Sequence, residues 1–175
     1  MAIPLLFSEI PIIKKYKINR LALIIGSLLP DLIDKPIFLL GIGSGRFISH
    51  SLLFVIISFL IVFLISNRKL EISIPFLVGM SFHLILDLPN IPLFYPFIEY
   101  HFVIVKLPFF YWITTLFTNP IVLSTEIIGI IILIFIIIYN KLYHIEDIKN
   151  YLKGNLQPPI KKEVCLPIKK HLYHK

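Results

Sequence analysis

The stretch IPFLVGMSFHLILDLPNIPLFYPF, Ile74 to Phe97, decides the fold. It is apolar enough to enter a membrane, yet it carries His83 and Asp87 four residues apart. On a helix that spacing puts both side chains on one face, about one turn apart. Gly79 lies one turn earlier on the same face, where a missing side chain lets a neighbouring helix come close. A His and an Asp facing lipid cost several kcal/mol by most scales, roughly 2–3 or more each. Such residues therefore face a protein interior or a wet cavity, and the rest of the chain has to supply it.

The composition agrees with a membrane setting. Of the 175 residues 57% are hydrophobic, and the mean hydropathy is +0.88. Soluble domains run at about 45–50% apolar. The net charge of +7 could point to nucleic acid, but most of the basic residues flank apolar runs, where membrane topology explains them. The single Cys165 rules out an intramolecular disulfide and reads as a free thiol in a polar tail.

Working outward, the sequence reads as an all-α integral membrane protein with about four transmembrane helices. A short apolar arm, Met1 to Ile13, comes first, interrupted by Pro4, Glu9 and Pro11. It lacks a basic leader and a small-residue cleavage site, so it reads as an interfacial or half-inserted arm rather than a signal peptide. Span one is expected at Ile18 to Leu40, broken around Pro30, and span two at Phe47 to Ser66. Span three starts near Ile72, and span four covers Leu116 to Tyr139. Residues 1–140 would form the membrane domain. Residues 141–175 would form a basic, partly disordered cytoplasmic tail. If the segment before span one is cytoplasmic, 14 of the 17 Lys and Arg residues fall inside, leaving Lys35, Arg46 and Lys106 outside. That bias predicts a C-terminus in the cytoplasm of a cell-membrane protein.

This topology brings the ionisable residues of the spans to one depth. Asp31 and Asp34 end span one, Arg46 and His50 begin span two, and His83 and Asp87 lie in the outer half of span three. Glu126 lies in the outer half of span four. Imidazole and carboxylate together suit a divalent metal such as Zn, with Mn or Fe as other choices. An open position on such an ion holds a water acidic enough to attack an ester. Arg46, a planar fixed cation, suits a phosphate oxygen. The expected ligands are Asp31, Asp34, His50, His83 and Asp87. Asp34, His50 and Glu126 would work as acid, base or ligand, and Arg46 would bind substrate.

Each piece also has a plainer reading. Asp31 and Asp34 fit a helix cap, Arg46 an interfacial anchor, and His50 a hydrogen-bonded core residue. His83 with Asp87 fits a bond that pins two helices, and Glu126 an interfacial residue. Buried carboxylates and His also build ion or proton pathways. A small transporter subunit is thus the rival class. It requires polar groups on the inner halves too, and Phe59 to Ile65 and Ile130 to Ile138 are apolar.

Four blocks in order, GSLLPDLID (Gly26 to Asp34), GRFISHSLL (Gly45 to Leu53), GMSFHLILD (Gly79 to Asp87) and PLFYPF (Pro92 to Phe97), carry a family resemblance. They resemble the membrane-bound metal-dependent hydrolases, a family that includes a LexA-regulated bacterial inner-membrane protein and is similar at a distance to zinc-dependent phospholipase C. The resemblance implies a metal-dependent hydrolase acting on an ester, of which a phosphoester of a lipid or lipid-linked molecule is the expected kind. Its partners would be the bilayer and that substrate, with no nucleic acid. The chain departs from the family pattern at three places. Pro4 and Gly45 stand where the family has His, and Ser49 where it has Thr. A non-catalytic family member is the third reading these departures leave open.

Overall fold

The pair that carries the architecture is α3 (Arg20–Leu39) and α5 (Leu70–Asp87). They run parallel, and glycine makes their approach possible. A Cβ on Gly79 would collide with the carbonyl oxygen of Leu23, and one on Gly26 with that of Phe76. Backbone therefore lies against backbone, as small residues allow in membrane helix pairs. The computed structural model describes residues 2–41, 45–101 and 107–155. All regular structure among the described residues is helical. Lys106, Cys165, His171, His174, residues 42–44 of the Gly-rich loop and the Lys-rich stretch after residue 155 lie outside them.

Around the central pair stand α1 (Ala2–Ser8), α2 (Pro11–Lys14) and α4 (Leu52–Ile65), with α6 (Pro108–Thr118), α7 (Pro120–Tyr139) and α8 (Ile145–Leu152). Helix α4 starts at Ser51, whose Oγ accepts from Phe54 N at 3.2 Å. It turns into α5 through Asn67 and Arg68, both at positive φ (54° and 61°). Asn119 caps α7 by accepting from Ile121 N at 3.0 Å, with Pro120 in the first turn. Both caps satisfy donors that a helix start leaves open. Met80, fully buried, centres the main apolar core with Phe76, Leu84 and Val55.

Two expectations need correction. Helix α3 is continuous through Pro30 and Pro36 rather than broken there. Packing against α5 holds it, and prolines are tolerated in such packed helices. The four expected spans reduce to two helices long and apolar enough to cross a membrane, α5 and α7. Helix α3 has the length, but carries Arg20, Asp31, Asp34 and Lys35. Helix α4 has 14 residues, because residues 48–50 form a short 3-10 turn where the second span was expected to begin. Span four divides at Asn119 into α6 and α7.

At the end of the bundle where α3 begins, a polar network joins four segments. Arg20, buried, places Nη2 at 3.3 Å from Glu9 Oε1 and donates from Nε to Ser8 Oγ at 3.1 Å. It also lies 4.4 Å above the Tyr151 ring. The Tyr151 hydroxyl donates to Glu9 Oε1 at 2.9 Å. Lys14 donates to Glu9 Oε2 at 2.6 Å and to Asn140 Oδ1 at 3.0 Å. The arm, α3, the end of α7 and α8 are thereby tied together.

Candidate metal centre

At the other end of α3 the polar groups are arranged around Asp34, which is almost fully buried. Its Oδ2 accepts from Phe47 N at 2.6 Å, and its Oδ1 faces Ser49 N at 3.5 Å. These bonds hold residues 47–50 in their short turn. The same Oδ2 meets His50 Nδ1 at 2.8 Å. A carboxylate already receiving backbone N–H groups is an acceptor, so His50 Nδ1 carries the proton. In the neutral ring the lone pair is then on Nε2. Ser49 completes the turn by donating from Oγ to Pro30 O at 2.8 Å.

His50 Nε2 points into a group formed with Asp31, His83 and Asp87, one atom from each residue, all within 4.8 Å of one another. It lies 3.2 Å from His83 Nε2, 3.4 Å from Asp87 Oδ2 and 3.7 Å from Asp31 Oδ1. His83 Nε2 lies 3.5 Å from Asp87 Oδ2 and 3.8 Å from Asp31 Oδ1. Oxygen and nitrogen ligands at about 2.0–2.1 Å from a tetrahedral ion stand about 3.3 Å apart. The observed separations bracket that value on the long side. The donor set is therefore one that can hold a metal ion. The fit has a second part. Lys35 Nζ holds the outward Oδ2 of Asp31 at 2.7 Å, and Arg46 donates to both oxygens of Asp87, from Nη2 to Oδ1 at 3.0 Å and from Nε to Oδ2 at 3.2 Å. Asp34 holds the outward nitrogen of His50. Such outer partners fix how ligands are aimed.

The group opens on a cleft of about 440 Å³ between α3 and the α6–α7 pair. Trp112 and Glu126 line it from the far side, together with Lys35 and Arg46 from the near side. Lys35 Nζ lies 5.3 Å from the Trp112 ring.

The family model of the YdjM inner membrane protein matches residues 1–147. The chain belongs to the YdjM inner membrane protein family. Membership makes it a protein of the cell membrane, in keeping with the two apolar helices. The YdjM match spans every residue of the group and its cleft. No curated protein and no solved structure matches the chain.

In this YdjM-family chain the expected site residues divide. Asp31, His50, His83 and Asp87 come together. Asp34 stands behind His50, Arg46 pairs with Asp87, and Glu126 faces the cleft outside the group. Pro4 is buried in α1, and Gly45 lies against the Phe38 ring. Lys35 and Trp112 were missed as site residues. Lys35 could have been found from its four-residue spacing to Asp31. Trp112 carries no local signal, because only the fold brings α6 beside α3.

Proposed function

We propose that the protein is a membrane-bound metal-dependent hydrolase acting on a phosphoester of a lipid or lipid-linked molecule. The observation that carries the reading is the convergence of Asp31, His50, His83 and Asp87 on one point, with His50 held from behind by Asp34. In hydrolysis a water oxygen bonds to phosphorus, the P–O bond to the alcohol breaks, and the alcohol leaves with a proton. A divalent ion in this group would supply water at low pKa and polarise the phosphoryl oxygen.

The chain's own residues do the rest. Asp31, His50, His83 and Asp87 hold the ion, zinc first among the candidates, with Mn and Fe as others. Asp34 is a positioning residue that keeps the proton on His50 Nδ1. Arg46 lines the cleft beside the group with its fork bonded to Asp87, and in this reading it also meets a phosphate oxygen there. The reading takes α5 and α7 as membrane crossings and puts the cleft near the outer face. The C-terminus would be cytoplasmic by the Lys and Arg distribution.

The test is metal content by elemental mass spectrometry, on protein purified in mild detergent without chelators. A His83→Ala, Asp87→Ala double variant is run beside it. The expected result is about one ion per chain in the wild type, as one four-ligand group implies, and none in the variant. Wild-type protein that stays metal-free after zinc, manganese and iron are each supplied overturns the reading.

A further inference from the structure

Glu126 is the one carboxylate of the cleft that the metal centre leaves unused. It sits on α7, one of the two helices long and apolar enough to cross a membrane, where an ionised group has to face a polar partner. Among the described residues it makes neither a hydrogen bond nor an ion pair. Lys35 and Arg46 line the same cleft, but their charges are directed at Asp31 and Asp87.

The charges around the cleft constrain what can enter. Among the described residues, four carboxylates (Asp31, Asp34, Asp87 and Glu126) stand against two fixed cations, Lys35 and Arg46. With neutral imidazoles, the formal excess of two negative charges matches one divalent ion. A loaded site is then neutral overall, but it is polar from one wall to the other. The ion, Lys35 and Arg46 make the near wall positive, while Glu126 makes the far wall negative. A ligand carrying a net negative charge satisfies only the near wall. A zwitterion satisfies both, through charge-assisted bonds at each wall.

Resting on the hydrolase reading above, we infer that the cleft selects a zwitterionic phosphodiester lipid whose headgroup alcohol bears a primary ammonium, and that Glu126 binds that ammonium. Glu126 is here a specificity residue rather than a metal ligand. Trp112 is the only tryptophan of the chain and lines the cleft, so its fluorescence reports occupancy directly.

The experiment follows Trp112 fluorescence on rapid mixing, before turnover, with detergent-solubilised, zinc-loaded protein. The probes are dihexanoyl phosphatidylethanolamine, dihexanoyl phosphatidylglycerol and free phosphoethanolamine. The expected result is a preference of about tenfold for the ethanolamine lipid over the glycerol lipid, the size of one charge-assisted hydrogen bond. In Glu126→Gln, which keeps shape and loses charge, the ratio falls to about one. Its zinc content, measured on the same sample, stays at the wild-type level. Equal binding of the two lipids by the wild type overturns the inference, as does a preference unchanged in Glu126→Gln. Free phosphoethanolamine binding as tightly as its lipid overturns the assignment to a lipid source. Loss of zinc from Glu126→Gln makes it a ligand and overturns the specificity role. A wild type that takes up no zinc fails at the earlier step and brings down the hydrolase reading itself.

Discussion

The two polar clusters of this protein hang from the same helix and are built in opposite ways. At the start of α3, Glu9 lies at the centre, and the chain supplies every donor to it. Arg20, Lys14 and the Tyr151 hydroxyl all reach it within 3.3 Å. Near the end of α3 the centre is ringed by one potential ligand atom from each of Asp31, His50, His83 and Asp87. The donors Lys35 and Arg46 stand on the outside, with Asp34 behind His50. The first cluster is closed by its own residues. In the second, carboxylate oxygens and imidazole nitrogens face one another, and the chain's cations, Lys35 and Arg46, reach them only from the rim. Coulomb repulsion makes that arrangement costly unless a cation or proton enters. Polar residues in an apolar helix bundle can thus be either a fastening or a site. What separates the two is the sign of the group at the centre.

The largest expected effect breaks the fastening. Arg20→Met leaves Glu9 with its buried charge half paired. Removing one partner of such a pair costs about 3–5 kcal/mol. Arg46→Met, at a pair whose arginine is 44% exposed, should cost under about 1 kcal/mol. Unfolding in detergent, followed by circular dichroism, compares the two. Equal losses would erase the distinction between closed and open clusters. The next effect belongs to the open cluster. Zinc at about a hundred times its dissociation constant should stabilise the wild type by roughly 2.7 kcal/mol. It should do nothing for His83→Ala, Asp87→Ala. In Arg20→Met the increment should persist on a lower baseline, because the clusters sit at opposite ends of α3 and share no partner.

The sequence showed the open cluster far better than the closed one, for a physical reason. His83 and Asp87 share a face by helix period alone, and four blocks of sequence mark their neighbours. Asp31 and Asp34 are harder. Three residues apart on α3, both were expected to aim at one point. Asp31 reaches the centre while Asp34 turns to His50 Nδ1. What decides between them is the turn at 47–50, whose backbone N–H groups bind Asp34, and no spacing within α3 encodes it. The same turn makes α4 begin at Leu52, shorter than the span expected there. The closed cluster left almost no trace. Arg20 and Tyr151 are 131 positions apart, and Lys14 and Arg20 were read as topology signals. Glu9, a carboxylate in an apolar run five residues before Lys14, was the one clue.

A smaller change sharpens the open side of the comparison. Asp34→Asn keeps the shape but lets the amide donate, so Nδ1 of His50 can become the acceptor and Nε2 the protonated nitrogen. Loss of such an outer partner should weaken zinc binding about 10- to 100-fold, read by competition with a chromophoric chelator. An unchanged affinity would mean that Asp34 only holds the 47–50 turn.

The smallest effect is the pH response of the closed cluster. Burial by itself would raise the Glu9 carboxyl pKa. The hydrogen bonds from Lys14 and Tyr151 and the charges of Arg20 and Lys14 outweigh it, and hold the group below its ordinary 4.5. Burial, followed by the charge of Glu9, pushes the Tyr151 hydroxyl up, so it stays a donor at neutral pH. Because Glu9 is depressed in the folded state, the unfolded chain takes up its proton first as pH falls. Its contribution is therefore complete above 4.5 and is lost as pH drops through the lower folded value. Thermal unfolding with chelator present, so that metal release does not intrude, should show the midpoint falling below that pH. Glu9→Gln should start lower and respond more weakly to acid over the same range. Parallel acid profiles for the two proteins would show that Glu9 is already neutral in its cluster, and the contrast between a closed, charged fastening and an open, charged site would be lost.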